Sequence, residues 1–134
     1  MERLTVELGS RSYPILISDG LLGEIGRHVA PLLKRPRTMI VTDEHVAPHY
    51  LDAASAALAA EGITVSSLVL PAGEGSKSWA GLARLTEWLI GEGAERSDHV
   101  VALGGGVIGD LVGFACSIVK RGCAFVQVPT TLLA

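Results

Sequence analysis

Three glycines in the stretch VVALGGGVIGDLVGFACSIVKRG, residues 100–122, could bring a protein backbone against a bound phosphate. Gly104, Gly106 and Gly109 form the pattern GxGxxG after an apolar run typical of a strand and at the start of a helical segment. Without Cβ atoms the chain turns tightly and its N–H groups approach a pyrophosphate, while the helix N-terminus adds partial positive charge. The stretch therefore predicts dinucleotide binding. A glycine turn that serves only close helix packing is the alternative.

Asp110 stands near the middle of this apolar stretch. Positions 100–119 carry no other charge, and a membrane span needs about 20 apolar residues. An unpaired acid in lipid is costly, and glycines interrupt the stretch repeatedly, so we expect no membrane segment. At the start of a helix in water, Asp110 either stabilises the helix dipole or accepts a hydrogen bond from a ribose or amide group. Both roles stay open.

The segment PAGEGSKS at 71–78 also follows a predicted strand. It carries Glu74 and Lys77 at the carboxyl end of that strand, where open α/β sheets bind ligands. It is not a Walker A loop, because that motif needs glycine where this chain has Pro71 and Ser76. The segment is a candidate ligand loop, and a solvated connection is the alternative.

Four more polar side chains follow strands or end a helix. Asp43 comes directly after TMIVT at 38–42, where a carboxylate either accepts both ribose hydroxyls and disfavours a 2′-phosphate, or caps a helix. Thr130 and Thr131 follow the last strand and either cap a helix or contact a phosphate or ribose. Arg121 either interacts with a helix dipole or grips a phosphate through two hydrogen bonds.

The histidines and cysteines do not form a recognisable metal site. His45 and His49 have helical metal-ligand spacing, but Pro48 lies between them and no third ligand is near. Cys116 and Cys123 match neither a CxxC redox pair nor a zinc ribbon. We therefore predict no metal ligands in this chain and expect the two cysteines to be buried, reduced thiols.

The first elements along the chain form a hairpin and a helix. RLTVEL at 3–8 alternates apolar and polar residues and predicts a half-buried strand, and YPILI at 13–17 is expected to pair back with it. Ser18 or Asp19 then caps a helix that continues to about Leu33.

Strands and helices alternate through the rest of the chain. The pattern predicts strands at 38–42, 63–70, 99–103 and 124–128. Helices are predicted between them, with apolar stripes at Leu51, Ala54 and Leu58 and at Leu82, Leu85 and Leu89, and the glycine-rich helix is expected to end near Arg121. Such βαβ units predict an α/β fold with a Rossmann-like, mostly parallel sheet, flanking helices and an N-terminal hairpin.

Length and composition indicate one globular domain. The 134 residues are 49% hydrophobic and 19% charged, and 14 acids against 11 bases leave no basic surface for nucleic acid. The N-terminal segment has two acids and alternating polarity, whereas a secretory signal has a basic start and an apolar core, so we expect a cytoplasmic protein. The sequence stops just as another element begins after a strand, and we therefore expect it to be part of something longer.

Three motifs occur in an order and at a spacing that resembles the N-terminal region of 3-dehydroquinate synthases. They are PAGEGSK, ALGGGVIGDLVGFACSIVKRG and FVQVPTTLLA. The resemblance covers the whole chain and implies that 1–134 is an NAD-binding α/β domain. It implies an enzyme of the shikimate pathway that converts 3-deoxy-D-arabino-heptulosonate 7-phosphate to 3-dehydroquinate and phosphate. NAD and a divalent metal, zinc or cobalt, are the implied cofactors. A homodimer that takes a phosphorylated sugar acid is the implied assembly.

The resemblance also assigns roles to particular residues. Arg121 matches an arginine that approaches the substrate. The positions that match cofactor contacts are Asp43, Glu74, Lys77, Gly105, Gly106, Val107, Asp110, Thr130 and Thr131.

The chain departs from the family by what it lacks. The metal-binding glutamate and histidines of the family belong to a later, helical domain that is absent from 1–134. We therefore expect this chain alone to be inactive and to bind NAD weakly, if at all. The alternatives are another sugar-phosphate cyclase, a metal-dependent polyol dehydrogenase, or a stand-alone nucleotide-binding module.

Overall fold

Four parallel strands form the central sheet, and a separate hairpin precedes it. The computed structural model describes residues 2–131. The hairpin strands β1 (Glu2–Val6) and β2 (Tyr13–Ile17) pair antiparallel. The sheet has the order β4-β3-β5-β6, and all its neighbours are parallel. Its strands are β3 (Arg37–Asp43), β4 (Thr64–Leu70), β5 (His99–Gly104) and β6 (Ala124–Pro129). The predicted α/β fold with an N-terminal hairpin is confirmed.

Helices cover both faces of the sheet. Within residues 2–131 the α-helices are α1 (Ile25–Val29), α2 (Ala47–Ala59), α3 (Trp79–Gly91) and α4 (Gly106–Ile118). Side chains of β3 alternate between two cores, because Met39 and Val41 pack with α3 and α4 whereas Ile40 packs with α1 and α2. Burial on both faces explains why β3 and β5 read as nearly continuous apolar runs.

The parallel strands bring the loops that follow them to one side of the molecule. Asp43 pairs with Leu70, and Gly104 pairs with Pro129, so neighbouring strands end at the same level. We call this side of the sheet the carboxyl edge, and the opposite side the amino edge. Loops at the carboxyl edge are where open α/β sheets bind ligands.

The predicted apolar stripes of α2 and α3 face the cores. Leu51 is partly buried, and the other five stripe residues are buried: Ala54, Leu58, Leu82, Leu85 and Leu89. Helical periodicity therefore identified both helices correctly, because each helix buries one side against the sheet.

The segment after the hairpin differs from the single helix that the sequence predicts over 18–33. It consists of a 3₁₀ turn (Leu21–Glu24), the short α1, and a second 3₁₀ turn (Ala30–Leu32). Gly20 precedes the first turn with a left-handed φ of 70°, and neither Ser18 nor Asp19 caps it. Glycine and proline are poor helix formers, so the glycines of this segment and Pro31 oppose one continuous helix.

The hairpin forms as predicted, but it is not half-buried among the described residues. Leu4 is 52% exposed and pairs with Ile15, which is exposed too. The strand also ends at Val6, before the predicted limit. A two-stranded sheet buries side chains only if another layer covers it, and residues 2–131 provide no such layer.

Helix α4 is shorter than predicted. It ends at Ile118, and a tight turn over Val119–Arg121 follows. Lys120 and Arg121 in this turn have positive φ angles of 49° and 65°, which are incompatible with a continuing right-handed helix.

An ion pair between a buried carboxylate and a partly exposed arginine fixes the amino edge of the sheet. The Asp98 carboxylate, only 2% exposed, accepts hydrogen bonds from Arg35 Nε at 3.0 Å and Arg35 Nη2 at 2.7 Å. It also accepts the backbone N–H of Glu95 at 2.8 Å. The hydrogen bond from Arg35 holds the pKa of Asp98 below its ordinary value. Asp98 therefore connects the approach to β3 with the approach to β5.

We predict that Asp98→Asn lowers the free energy of unfolding by about 1–3 kcal/mol at neutral pH, because the network loses its negative charge and one of its two acceptor oxygens. A carboxyl whose folded-state pKa is depressed stabilises the fold above its unfolded pKa and loses that effect as pH falls through the folded value. The difference in the free energy of unfolding between wild type and variant should therefore become smaller below about pH 4. Urea unfolding across pH measures it, with the exposed Asp52→Asn as control. A pH-independent difference would contradict this account.

Candidate functional site

Three segments that follow strands of the sheet meet at the carboxyl edge. They are the glycine turn between β5 and α4, the segment 71–78 after β4, and the pair Thr130 and Thr131 after β6. The turn after β3, which begins at Asp43, lies at the same edge. These segments and the first two turns of α4 hold every sequence-predicted site residue except Arg121.

The glycines of the turn have different physical reasons to be glycine. A Cβ on Gly104 would lie 3.0 Å from the Ile108 side chain, and one on Gly109 would collide with the side-chain amide of Gln127. These two glycines let α4 pack closely on β5 and β6. A Cβ on Gly106, in contrast, would meet no atom within 4 Å. Packing within the described chain therefore does not require glycine at 106, and its backbone is open to a ligand.

The N-terminus of α4 offers donors beside this open position. Gly109 N–H donates to Gly105 O at 3.1 Å, which is the first hydrogen bond of the helical pattern. The preceding N–H groups of the first turn therefore lack helical acceptors, and Gly105, the N-cap residue, has no side chain to receive them. Such a terminus attracts anions through its N–H groups and its dipole. Val107 lies within this turn and is partly buried.

The threonine pair lies against the glycine turn. Thr130 N–H donates to Gly104 O at 3.1 Å and so extends the pairing of β6 with β5 beyond the strand. This places the Thr131 side chain beside Gly105, because a Cβ on that glycine would lie 3.3 Å from Thr131 Cγ2 and 3.5 Å from its hydroxyl oxygen. The structure thus brings the Thr131 hydroxyl to the glycine turn, as the sequence suggested.

Lys77 and Asp110 form an ion pair across the site. Lys77 Nζ lies 2.9 Å from Asp110 Oδ2, and the side chains are 48% and 62% exposed. The hydrogen bond to Asp110 raises the pKa of Lys77, and the charge of nearby Glu74 acts in the same direction. Exposed pairs contribute little to stability. The pair instead joins the segment 71–78 to α4 and balances the Asp110 charge near the anion-attracting helix terminus.

Asp43 orders the turn between β3 and α2. One oxygen, Oδ1, accepts the backbone N–H groups of His45 and Val46, each at 2.9 Å. The N-cap residue of α2 is Val46, which makes no side-chain cap hydrogen bond, so Asp43 stabilises the turn before the helix and is not the helix cap. These bonds leave Oδ2 of the carboxylate without a donor among residues 2–131.

Sequence reasoning missed Glu44, which connects two of the site's segments. Its backbone N–H donates to Leu70 O at 2.9 Å, and its side-chain Oε1 accepts Ala72 N–H at 3.2 Å. Glu44 thereby ties the turn after β3 to the start of the segment 71–78. Its position directly after a strand was visible in the sequence, but the adjacency of β3 and β4 was not.

The segment 71–78 is internally braced. The buried Ser76 hydroxyl donates to Pro71 O, and Ser78 caps α3 by accepting Gly81 N–H at 3.2 Å. A Cβ on Gly81 would collide with the carbonyl oxygen of Ser76, so helix and segment are in direct contact. This bracing presents Lys77 toward α4. The segment is therefore an ordered part of the site, which argues against a merely solvated connection.

An open cleft of about 540 Å³ adjoins the ion pair between α3 and α4. Its lining includes Lys77 and Asp110 on one side and the apolar side chains of Trp79, Leu82 and Phe114 on the other. Trp79 is 84% exposed. No motif in the sequence pointed to Trp79 or Phe114, because their spacing fits an ordinary helix surface.

Arg121 does not join this cluster. Helix α4 begins at the carboxyl edge and runs back across the sheet, and its 13 residues span roughly 20 Å at 1.5 Å per residue. Arg121 therefore lies near the amino edge, in the turn between α4 and β6. The structure keeps this predicted substrate contact apart from the predicted cofactor contacts of the same chain.

Residues 2–131 contain no group of three or more His, Cys, Asp or Glu side chains that could hold a metal ion. No helix within the same residues has the length and apolar character needed to cross a membrane.

Gly73 provides a test of how the segment 71–78 is ordered. Its φ of 97° and ψ of 174° belong to a region that only glycine adopts readily. We predict that Gly73→Ala destabilises the protein by about 1–3 kcal/mol and increases proteolysis of the segment. Gly75→Ala is the matched control, since Gly75 has an ordinary φ and a Cβ there meets nothing within 4 Å. Equal thermal stability of the two variants would contradict the strain argument.

Comparison with known proteins gives one consistent result. The family model described as 3-dehydroquinate synthase N-terminal matches residues 67–134. The 3-dehydroquinate synthase of Roseobacter denitrificans is 57% identical over 134 residues, which is 100% of this chain and 36% of that protein. The chain thus spans about 36% of the length of this curated relative.

Solved structures agree with the sequence relatives. A crystal structure of 2-deoxy-scyllo-inosose synthase complexed with carbaglucose-6-phosphate, NAD+ and Co2+ is 25% identical, with a TM-score of 0.85 over 97% of this chain and 35% of that one. The 2-epi-5-epi-valiolone synthase ValA from Streptomyces hygroscopicus subsp. jinggangensis 5008, with NAD+ and Zn2+ bound, is 29% identical, with a TM-score of 0.78 over 95% and 35%.

Proposed function

The chain belongs to the 3-dehydroquinate synthase family, and on that premise we propose that it forms the NAD-binding part of an enzyme of this activity. The enzyme converts 3-deoxy-D-arabino-heptulosonate 7-phosphate to 3-dehydroquinate and phosphate, a step of the shikimate pathway toward aromatic amino acids. The observation that carries the proposal is the open backbone at Gly106, beside the uncapped N-terminus of α4.

The charges at this site fit a dinucleotide. A pyrophosphate needs donors and positive potential, which the first turn of α4 over Gly105, Gly106 and Val107 supplies. Asp110 alone would repel it. The ion pair with Lys77, at 2.9 Å, offsets that charge and leaves the ammonium near the phosphate position. Thr130 and Thr131 lie beside the glycine turn, and the Thr131 hydroxyl is close to Gly105.

The remaining cofactor contacts are carboxylates. Asp43 keeps one oxygen available at the carboxyl edge, and Glu74 lies exposed on the segment 71–78. Carboxylate oxygens accept hydrogen bonds from ribose hydroxyls, and their charge opposes a 2′-phosphate. The proposed cofactor is therefore NAD rather than its phosphorylated form. When bound, NAD supplies a hydride acceptor for oxidation of a substrate hydroxyl.

The described residues do not fit a metal site, since they contain no cluster of three potential ligands. We propose that the divalent metal of this family, zinc or cobalt, is held by residues outside those described. The two solved relatives contain Co2+ and Zn2+, each beside NAD+. The resemblance further leads us to propose a homodimer, a cytoplasmic location and a phosphorylated sugar acid as substrate.

A sister sugar-phosphate cyclase is the second candidate. Solved structures named 2-deoxy-scyllo-inosose synthase and 2-epi-5-epi-valiolone synthase share the fold over nearly the whole chain. Assay of the full-length enzyme with 3-deoxy-D-arabino-heptulosonate 7-phosphate and with other sugar phosphates separates the two. Turnover of the heptulosonate supports the synthase, and turnover of another sugar phosphate alone supports the cyclase.

Gly106→Val tests the cofactor site. A Cβ at position 106 meets no protein atom within 4 Å, so we expect little loss of stability, whereas the Val side chain occupies space through which a phosphate would reach the helix N–H groups. We predict at least about a tenfold increase in the Kd for NAD, or about 1.4 kcal/mol, measured by calorimetry on the full-length enzyme.

The control is Gly91→Val, at the other end of α3, where a Cβ also meets nothing within 4 Å. It should leave both stability and NAD affinity unchanged. Unaltered NAD affinity of the Gly106 variant would remove the phosphate-binding assignment of the glycine turn.

Arg121→Ala tests the proposed substrate contact. Because Arg121 lies roughly 20 Å from the glycine turn along α4, its removal should leave NAD affinity unchanged. We predict about a tenfold rise in KM for the phosphorylated substrate, from loss of a charge-assisted hydrogen bond. Lys120→Ala is the matched control, since Lys120 shares the positive φ and the positive charge. Equal losses in the two variants, or a parallel loss of NAD affinity, would contradict this role.

A further inference from the structure

The two cysteines face each other at the amino edge, on either side of the Arg121 turn. Cys116 lies near the end of α4, and Cys123 lies just before β6. Cys123 N–H donates to Cys116 O at 2.7 Å. This bond joins the last turn of α4 directly to the residue that precedes β6. The backbone therefore holds the two residues next to each other, and a disulfide between them requires Cα atoms about 4.4–6.8 Å apart.

The side chains of the two cysteines belong to the same apolar region, because Cys123 packs against the core cluster that contains Cys116. The interaction between the two thiols lowers the pKa of Cys123 and raises the pKa of Cys116. Cys116 is only 1% exposed, whereas Cys123 is partly exposed. The expectation of two buried thiols thus holds for Cys116 alone. Since the thiolate is the reactive form, Cys123 is the accessible nucleophile and Cys116 is a second thiol placed beside it.

The connection between them is short and conformationally constrained. Lys120, Arg121 and Gly122 have consecutive positive φ angles of 49°, 65° and 110°. Gly122 N–H also donates to Val119 O at 2.8 Å. Positive φ is costly for residues other than glycine, so the surrounding bonds hold the turn in place. A constrained turn that keeps two thiols together favours a bond between them over reaction with other molecules.

We propose that Cys116 and Cys123 are a reversible redox pair, which hydrogen peroxide converts to an intramolecular disulfide across the Arg121 turn. The Cys123 thiolate attacks one peroxide oxygen, so that an S–O bond forms and the O–O bond breaks. The products are the sulfenic acid of Cys123 and hydroxide, which takes up the proton that the thiol released. Cys116 sulfur then attacks the sulfenic sulfur, and the departing hydroxide leaves as water with the Cys116 proton. Two thiols are oxidised, and one peroxide is reduced to two waters.

The disulfide would restrict the motion of the turn that carries Arg121. The disulfide closes a covalent ring over residues 116–123, whose backbone the turn already brings together. Such a ring removes conformations in which the turn opens. Oxidation therefore fixes the position from which Arg121 is presented. This inference depends only on the cysteine geometry and not on the cofactor assignment.

Trypsin offers a direct test. It cleaves after Arg96, Lys120 and Arg121, so Cys116 and Cys123 end in different peptides that only a disulfide holds together. Purified protein is treated with equimolar hydrogen peroxide, blocked with iodoacetamide, digested under denaturing conditions and analysed by mass spectrometry. We expect the linked pair to replace both separate peptides in monomeric protein, with loss of both titratable thiols and their recovery on reduction with dithiothreitol.

Two variants test which of the two cysteines reacts first with hydrogen peroxide. Cys116→Ala, which keeps the buried site apolar, should stop at the sulfenic acid of Cys123, trapped as a dimedone adduct. Cys123→Ser should leave Cys116 unreacted, because Cys116 is buried. Absence of the linked peptide in wild type, or its occurrence only in cross-linked dimers, would overturn the proposal.

A second measurement reports on the turn. Native protein is exposed to limited trypsin before and after oxidation, and cleavage after Lys120 and Arg121 is compared with cleavage after the exposed Arg84. Oxidation should slow cleavage at the turn several-fold and leave the Arg84 site unchanged. Equal rates at the turn in both redox states would contradict the inferred restraint on Arg121.

Discussion

The close packing of α4 against the ends of β5 and β6 depends on glycine at two positions, where no Cβ is present. A Cβ at Gly104 would press on Ile108, and one at Gly109 would collide with the Gln127 side chain. Because neither is present, the helix begins directly at the carboxyl edge, and its first N–H groups face outward. Gly106, between the two, stays open. The anion-attracting character of the site follows from this packing.

Charge around that helix terminus is balanced rather than uniformly positive. Asp110 would oppose a phosphate by itself, but Lys77 lies 2.9 Å from it on a segment that Glu44, Ser76 and Gly73 hold in shape. The pair is exposed, so it contributes little to folding and can adjust when a charged ligand arrives. The carboxylates of Asp110 and Glu74 therefore both act electrostatically on the ammonium group of Lys77.

The two edges of the sheet have separate chemistry. The carboxyl edge collects the glycine turn, the threonine pair and the segment 71–78, which together suit a dinucleotide. The amino edge holds the Asp98–Arg35 pair, the constrained Arg121 turn and the two thiols. Helix α4 connects them, with its first turn in one group and its last turn in the other. The proposed substrate contact at Arg121 and the proposed cofactor contact at Gly106 are therefore separable by mutation.

The sequence by itself determined the strands, most of the helices and the glycine turn, because burial on a sheet face or helix stripe leaves a local periodic pattern. It did not determine the broken helix around α1, because an apolar pattern does not show where glycines and Pro31 interrupt a helix. Only the tertiary structure decided that Lys77 meets Asp110, that Asp43 orders a turn, and that Arg121 stands at the opposite edge. These facts depend on strand order and helix direction, which join residues far apart in sequence and leave no local signal.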